Sequence, residues 1–399
     1  MKRNNKFIRF LKTVPMKLWL ILAAIIAFSF LSNDFGLVDV QKTAIVLAAG
    51  IDRNAEKGYT LTAQIAVPKG VDRTTGGTSS VEFIVEGETI ADCVSDIYCK
   101  TGWVPKFVFC NLIVVGEDTA KESDVFDALD FFLRNEYMSD GCFVAVCQGS
   151  AQELLTSESA IDDTSSMAIT KLFSDSNVKS GKAMKMSLRE FAIGYYGVTK
   201  SGYMPYIVQH KQKTNASSGG NGDQQSGGAE QKEQKIYCAE RTALFSEGKQ
   251  VALLGPDETF AFSLIKGNVY TGYLLTEENG KPVSLTVLGD KGDVSLDTSG
   301  APKVTVKVEL TVRLFNRAVP AEIEDVSKNE VSDELRENAI KTVLEEVGKV
   351  FETSRKSGCD LFKLNQSLYR SSVNKFEEWK DTLLPAVPVE YRISVRTAK

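Results

Sequence analysis

The N-terminal segment limits what the rest of this chain can be. An apolar run at 18–31, whose most polar side chain is Ser29, follows six basic residues, Lys2, Arg3, Lys6, Arg9, Lys12 and Lys17. Fourteen apolar positions are fewer than the roughly 20 that cross a bilayer squarely. Adding residues 14–16 and letting Lys17 snorkel gives about the width of a thin membrane. The pattern predicts an uncleaved anchor helix with its basic end in the cytoplasm, so that everything after Asn33 is exported.

Other interpretations of this segment carry different consequences. A cleaved secretory signal would leave a soluble product, and Ala27 and Ser29 are candidate small residues for a cleavage site. A lipoprotein signal needs a cysteine directly after the apolar run, but the first cysteine is Cys93. A buried amphipathic helix would show a polar face, which this segment lacks. All but the last place the bulk of the chain outside the cytoplasm.

Composition limits the number of domains and the kinds of partner that the exported part can have. The chain has 399 residues, 43% of them hydrophobic, and a net charge of -5. About 365 exported residues are enough for two or three domains with their own cores. The charges are scattered and form no basic stripe, so we expect no nucleic-acid partner.

The cysteines do not indicate a metal site. Seven are present without CxxC spacing, and the only histidine is His210. Since zinc needs clustered thiolates or imidazoles, we expect no metal and no other cofactor. The pattern favours free cysteines as small core residues, with a disulfide as the alternative because export permits one. The cysteines are Cys93, Cys99, Cys110, Cys142, Cys147, Cys238 and Cys359.

The first half of the exported part alternates short strands and helices. Residues 59–67 alternate apolar and polar side chains, and 107–115 (FVFCNLIVV) are nearly unbroken apolar, which predicts a half-buried strand and a central strand. Thr89 and Ser123 are placed to cap helices. Further strands are predicted at 43–49, 81–85, 143–146 and 203–209, and further helical segments at 151–155, 167–173 and 188–197.

A polar segment at 211–235 (KQKTNASSGGNGDQQSGGAEQKEQK) interrupts this pattern. It has almost no apolar side chains to offset the entropy of ordering, so it predicts a flexible linker between two independently packed halves. Its glycines lack the flanking strand and helix that a phosphate-binding loop requires.

The second half carries the clearest sheet pattern. Apolar and polar residues alternate over 304–314, and Asn279-Gly280 predicts a hairpin. Ser332 can cap a long helix that Gly358 can end, and 389–395 predict a last strand that returns to the sheet. The fold class is therefore α+β, with several domains of mixed and antiparallel sheets packed with helices, plus one N-terminal membrane-anchor helix. The predicted divisions are 1–35 (basic segment and anchor), 36–210 (N-terminal α+β region, with two subdomains as an option), 211–235 (linker) and 236–399 (C-terminal α+β region).

Catalytic readings have little support. His210 borders the linker, which cannot hold a catalytic geometry. Asp162-Asp163 are adjacent, and adjacent side chains usually point apart. A lysine-activated serine, Ser187 with Lys185, stays open because its spacing is unspecific. We therefore expect no enzyme and assign no catalytic, cofactor-binding or metal-binding residue.

Several short strings resemble one known family in the same order along about 360 residues. The chain resembles the C subunits of spore germinant receptors, the GerAC-like or Ger(x)C family. Each string is weak alone, and their collinear order carries the resemblance. They are Gly50-Ile51-Asp52, Gly87-Glu88-Thr89-Ile90, Val114-Val115-Gly116-Glu117, Asp130-Phe131-Phe132-Leu133-Arg134, Glu190-Phe191, Ala243-Leu244-Phe245, Glu258-Thr259, Asp360-Leu361-Phe362 and Trp379.

The resemblance implies a non-catalytic subunit at the inner membrane of the dormant spore, with the bulk of the chain on its outer face. It also implies A and B subunits as partners in sensing small nutrients, while contact of this subunit with a nutrient stays open. Gly50, Gly87, Asp130, Arg134 and Trp379 are expected to support the fold. The chain departs from the family at Ser32 and Asn33, where members usually have a lipobox cysteine, so attachment would depend on residues 14–31.

The alternative function is an exported solute-binding or cell-envelope scaffold protein. For the receptor subunit, we expect contact surfaces at loops 69–80 and 157–187 and on the outward faces of the sheets.

Overall fold

The computed structural model describes residues 16–31, 43–66, 80–212, 234–317 and 331–398. The first of these segments is helix α1 (Met16–Leu31), whose side chains at 18–26 are exposed. Across the described residues, no helix reaches the length and hydropathy expected of a membrane span. Membrane anchoring by this segment therefore stays a prediction, and its basic flank at 1–15 lies outside the described residues.

A nine-stranded mixed sheet extends over 43–254, in the order β3-β2-β1-β5-β6-β7-β8-β9 with β4 added to β1. Strands β1, β5, β6 and β7 run parallel, and the remaining pairs of the main order are antiparallel. The strands are β1 (Thr43–Asn54), β2 (Gly58–Ala66), β3 (Ser80–Gly87), β4 (Val104–Lys106), β5 (Leu112–Gly116), β6 (Phe143–Cys147), β7 (Ser201–Gln212), β8 (Gln234–Ser246) and β9 (Lys249–Leu254).

Helices make the crossovers that parallel strands require. Apolar side chains of β1, β5 and β6 alternate between two cores, one on each face of the sheet. This burial on both faces explains why these strands read as nearly continuous apolar runs. The helices are α2 (Ile90–Thr101), α3 (Glu117–Glu122), α4 (Phe126–Arg134), α5 (Ala151–Thr156), α6 (Ser165–Leu172), α7 (Asp175–Val178) and α8 (Leu188–Tyr195).

The C-terminal part is a four-stranded sheet, in the order β10-β11-β12-β13, packed with helices. Five valines and leucines of β12 are at most 1% exposed, which confirms the predicted alternation. The β10–β11 hairpin turns at Asn279 and Gly280, both with positive φ (51° and 70°). The elements are α9 (Pro256–Ile265), β10 (Tyr273–Glu278), β11 (Lys281–Asp297), β12 (Lys303–Arg317), α10 (Asp333–Ser357), α11 (Leu364–Ser371), α12 (Val373–Trp379), α13 (Leu383–Ala386) and β13 (Val389–Thr397).

The caps of α10 are as predicted. Ser332 accepts a hydrogen bond from Leu335 N, and Gly358 ends the helix with φ 70°. Strand β13 returns parallel to β12, pairing Val304 with Val389. The α+β class with two mixed sheets is thus confirmed.

The predicted linker lies inside one hairpin of the large sheet. Strands β7 and β8 pair antiparallel from Ser201↔Ser246 out to Gln212↔Gln234. Leu244 of β8 also belongs to the core of the C-terminal sheet. The two halves are therefore not packed independently, because the strands on both sides of 213–233 are hydrogen-bonded neighbours. The flexible linker at 211–235 stays a prediction. The domain limits at 36–210 and 236–399 stay a prediction.

This pairing predicts the effect of cutting the chain. When a site for a specific protease is inserted within 213–233 and cut, the two fragments should elute together on size exclusion. The hydrogen bonds between β7 and β8 and a shared core should hold them together. The fragments should separate only in denaturant. Two fragments that separate in native buffer would contradict the pairing, and the uncut insertion variant controls for the insertion itself.

Two predicted elements differ in detail. The predicted strand at 107–115 begins only at Leu112, and Phe107 to Cys110 form a tight turn closed by Cys110 N donating to Phe107 O (2.9 Å). The helix predicted after Ser123 is α4, but its N-cap is Val125, and Ser123 is instead the C-cap of the preceding α3. At 107–115 an apolar pattern continues through a turn, so periodicity alone does not reveal the break.

A buried carboxylate lies in β11. Asp290 is 8% exposed; its Oδ1 accepts a hydrogen bond from Val269 N (2.9 Å), and its Oδ2 has no partner among the described residues. Burial raises the pKa of Asp290 from 3.8 to about 7, against the opposing effect of the backbone hydrogen bond.

The raised pKa predicts a pH-dependent stability. Because the pKa of Asp290 is higher in the folded than in the unfolded state, this group should contribute its full stabilisation below about pH 4. The contribution should be lost as the pH rises toward 7. The loss should reach about 2–4 kcal/mol, at 1.36 kcal/mol per pKa unit. Urea unfolding from pH 4 to 8 should show this decline in the wild type and a flatter profile in Asp290→Asn. Parallel profiles for the two proteins would contradict it.

Candidate functional site

The short strings that resemble the family are called family strings here. Two of them, Gly50-Ile51-Asp52 and Val114-Val115-Gly116-Glu117, meet at the carboxyl ends of β1 and β5. The Asp52 carboxylate accepts hydrogen bonds from Ser150 Oγ, Ala151 N and Gln152 N, each at 2.9 Å. It therefore holds the N-terminus of α5, about one hundred residues away in the chain. A methyl group at Gly116 would lie 2.1 Å from Asp52 Oδ1. Only glycine leaves room for this carboxylate, so both strings serve to lock β1, β5 and α5 together.

Other family residues also act in the fold. Thr89 caps α2 by accepting from Asp92 N, and a methyl group at Gly87 would lie 2.9 Å from Cys93 N. At Gly50, a methyl group would meet Leu155 of α5 at 2.9 Å. Trp379 packs against the C-terminal core.

The expectation for Asp130 and Arg134 needs correction. Their ion pair is an i,i+4 contact at 2.5 Å, with the Arg134 side chain 77% exposed. Exposed pairs of this kind contribute about 0.3–0.5 kcal/mol. The string that contains them supports the fold through Phe131 and Phe132, whose rings lie 6.0 and 5.5 Å from Phe107.

A third family string joins the C-terminal part to the large sheet. Asp360 is buried, and its backbone N donates to Ser201 Oγ of β7 (3.0 Å). Its carboxylate accepts from Leu364 N (2.7 Å) and Asn365 N (2.8 Å), which holds the first turn of α11. Burial raises the pKa of Asp360, and the backbone N–H groups oppose that shift. The junction therefore depends on the buried Asp360 carboxylate, whose two oxygens each accept a backbone hydrogen bond.

A cavity of about 170 Å³ lies beside this junction. It is formed where α8 comes close to β7: a methyl group at Gly194 would lie 2.5 Å from the Ser201 carbonyl oxygen. Its lining brings together residues of two family strings and two lysines, among them Glu190, Tyr203, Lys266, Asp360 and Lys363.

The two lysines give the cavity its chemistry. Lys266 Nζ lies 5.9 Å from the centre of the Tyr203 ring. Desolvation, followed by repulsion from Lys363, lowers the pKa of Lys266, while Glu190 opposes the shift. Lys363 has a left-handed backbone (φ 57°), which non-glycine residues adopt at a cost. Paired ammonium groups can hold a carboxylate or phosphate group, and the volume is below the roughly 300 Å³ of ordinary ligand sites.

This cavity was not predicted from the sequence. Lys266 and Lys363 are almost one hundred residues apart and belong to no spacing pattern. The Asp360-Leu361-Phe362 string was singled out in the sequence, but nothing in the sequence indicated that it lines a cavity together with Glu190.

The candidate catalytic residues have other partners. Ser187 Oγ accepts from Glu190 N (3.2 Å) and Glu190 Oε2 accepts from Ser187 N (3.3 Å), which is a capping box for α8. Ser187 Oγ also donates to Glu190 Oε2 (3.0 Å). Lys185 Nζ is paired with Asp175 (2.7 Å) instead of with Ser187. Asp162 forms an ion pair with Lys171. His210 is a ladder residue of β7, opposite Ile236.

The cysteines lie mostly in cores. All seven are free thiols, and Cys93, Cys110, Cys142, Cys147 and Cys359 are buried. Burial raises the pKa of Cys93 to about 11 and that of Cys359 to about 12, so these thiols are unreactive. A hydrogen bond with Cys110, then burial, raises the pKa of Cys142. Among the described residues, no cluster of metal ligands is present.

The class of protein follows from family comparison together with this fold. Residues 37–209 match the family model described as the spore germination protein N-terminal domain, and 240–398 match the one described as spore germination B3/GerAC like, C-terminal. The chain therefore belongs to the GerAC-like family of spore germination proteins, as the short strings predicted.

Two curated relatives come from Bacillus subtilis (strain 168). Spore germination protein KC is 22% identical over 374 residues, covering 89% of this chain and 88% of the relative. Spore germination protein B3 is 22% identical over 275 residues, covering 68% and 67%. The crystal structure of the GerBC protein superposes with a TM-score of 0.49 at 16% identity, covering 88% of this chain and 97% of that one.

Proposed function

We propose that this chain is the membrane-attached, non-catalytic C subunit of a nutrient germinant receptor and acts in spore germination through contacts with A and B subunits. The observation that carries the proposal is the match of both family domains, over 37–209 and 240–398. Both relatives are named as spore germination proteins, and the matches cover 88% and 67% of their lengths.

The roles of the family residues support action through contacts. Asp52, Gly116 and Asp360 lie in hydrogen-bonded junctions that build the fold. Ser187 and Lys185, the candidate nucleophile and base, each have another partner. A fold in which the residues of the family resemblance have structural roles suits an adaptor between other proteins.

The outward surface of the C-terminal sheet is the proposed contact area for a partner subunit. The Tyr273 and Phe315 rings lie 4.8 Å apart there, and Leu275 next to them is 64% exposed. A groove of about 350 Å³ between α9, β10 and α10 continues this surface and is lined partly by Phe260 and Leu264. Exposed apolar groups of this kind mark interaction sites. Of the two loops predicted as contact surfaces, 69–79 lie outside the described residues.

Attachment is proposed through residues 14–31, because Ser32 and Asn33 occupy the place of a lipobox cysteine. The location that follows is the spore inner membrane, with the bulk of the chain on its outer face.

Copurification from spores tests the proposal. A tagged copy expressed from its own locus should recover A and B subunits from detergent-extracted spore membranes. A Leu275→Asp/Phe315→Asp variant should recover less of one of them, whereas Val373→Asp, a similarly exposed apolar position outside the predicted contact surfaces, should behave as the wild type. Recovery of the tagged chain with neither subunit, together with normal germination of a deletion strain on every nutrient, would favour the solute-binding or scaffold alternative.

A further inference from the structure

The turn between β4 and β5 has an unusual composition. Val108 and Phe109 at its tip are 48% and 55% exposed, while Phe107 and Cys110 on either side are buried. Tight turns normally carry Gly, Pro, Asn, Asp or Ser at such positions. Because the buried neighbours fix the turn, the two apolar side chains cannot fold inward. They indicate a surface that another body covers.

Aromatic and basic side chains surround this tip. Trp103 and Val104 are exposed just before it, and the Trp103 ring lies 6.5 Å from that of Phe83 in an edge contact. Lys106 Nζ lies 4.7 Å from the centre of the Tyr137 ring, which is itself exposed. Tryptophan, tyrosine and lysine around apolar side chains are the residue types that gather at the membrane–water interface.

The charge of the segment fits the same surface. The chain has 52 acidic residues, yet 97–116 contain none and include Lys100 and Lys106. Asp96, at the edge of the segment, is paired with Lys100 at 2.7 Å. The tip therefore presents no carboxylate of its own segment to anionic lipid headgroups.

The position of the turn in the chain also matters. Asn111 N, directly after the turn, donates to the Leu47 carbonyl oxygen (3.0 Å), so the turn lies beside the first half of β1. Only residues 32–42 separate β1 from the apolar helix α1. Eleven residues span at most about 40 Å when fully extended. A membrane that holds α1 would therefore keep the start of β1 within about 40 Å of its surface, and the turn lies beside this strand.

We propose that this docking turn, formed by Trp103, Val104, Val108 and Phe109, rests on the lipid surface of the membrane that holds the anchor. Val108 and Phe109 lie among the headgroups and upper acyl chains, the Trp103 ring lies at the interface, and Lys106 faces lipid phosphates. The proposal rests on the proposed membrane attachment and adds a second, folded contact that fixes the orientation of the sheet to the bilayer.

The three tryptophans of the chain, Trp19, Trp103 and Trp379, allow a direct test. The full chain is reconstituted in phosphatidylglycerol/phosphatidylethanolamine vesicles whose acyl chains carry bromine, a short-range quencher of indole fluorescence. Three variants keep one tryptophan each, with phenylalanine at the other two positions. Trp19 reports the anchor, Trp103 reports the docking turn, and Trp379 reports a distant part of the fold.

We expect brominated lipid to quench the Trp103-only protein about twofold, and to leave the Trp379-only protein unchanged, because only Trp103 lies at the interface. Quenching of Trp19 without quenching of Trp103 would overturn the docking turn and leave the anchor standing. Quenching of neither would overturn both. Shielding of Trp103 from a water-soluble quencher without quenching by brominated lipid would mean that a protein surface covers the turn, which also overturns the proposal.

A second variant guards against misfolding. Val108→Asp/Phe109→Asp in the Trp103-only protein should abolish the quenching of Trp103 without changing the far-UV circular dichroism. The matched Leu275→Asp/Phe315→Asp pair places the same charges on exposed apolar positions of the other sheet. Equal loss of quenching in both pairs would contradict a local contact at the turn.

Discussion

Gly292→Ala is expected to destabilise the protein by about 3 kcal/mol or more, at the upper end of the effects of overpacking. Gly292 lies in β11 beneath the end of α9, where a methyl group would be 2.1 Å from the Ile265 carbonyl oxygen and 2.3 Å from that of Leu264. Both obstacles are backbone atoms, which no side-chain rotation can move. The helix would have to shift away from the sheet, and urea unfolding followed by circular dichroism measures the cost.

Gly289→Ala is the matched control in the same strand. No atom of the described part of the chain lies within 4 Å of a methyl group at this position, so the free energy of unfolding should change by less than about 1 kcal/mol, in the stabilising direction. Similar losses in both variants would mean that β11 tolerates no alanine at all, and the close approach of α9 would then not be the cause.

Asp52→Ala should cost about 2–4 kcal/mol, because three donors at the start of α5 lose a charged acceptor. Ser150 Oγ, Ala151 N and Gln152 N all donate to this carboxylate. Asp52→Asn should lie between the alanine variant and the wild type, since its amide retains one acceptor oxygen and turns an NH₂ group toward the donors. The same urea titration measures both variants.

Asp118→Ala serves as the control for Asp52. Asp118 is an exposed carboxylate in the first turn of α3, so its removal should cost less than about 0.5 kcal/mol. If the Asp52 and Asp118 variants are equally stable, water replaces the carboxylate at α5, and Asp52 is not the link between β1 and that helix.

Much of the fold could be predicted from local patterns. The alternation of β12, the Asn279-Gly280 turn and the caps of α10 each depend on a few neighbouring residues, and each is confirmed. The family strings correctly marked Asp52, Gly116 and Asp360. Their roles could not be predicted, because each depends on a partner about 50 to 160 residues away, such as Ser201 for Asp360.

The misplaced features share one physical cause. At 107–115 every residue except Asn111 is apolar, and composition does not distinguish buried Phe107 from exposed Phe109. At 211–235 the composition predicts a segment that cannot form a core, but composition says nothing about whether the strands on either side of it are paired. Pairing across a gap and exposure at a turn are tertiary properties. The lysines at the 170 Å³ cavity escaped prediction for the same reason.

The register that joins Gln212 to Gln234 has a consequence for the changes in length that this chain tolerates. When both ends of a connection are fixed by a ladder, each doubling of its length costs only about 0.6 kcal/mol of closure entropy. Insertions and deletions within 213–233 of this chain should therefore be nearly neutral for stability. The same tolerance makes this the natural place for an internal epitope or fluorophore that leaves the fold intact.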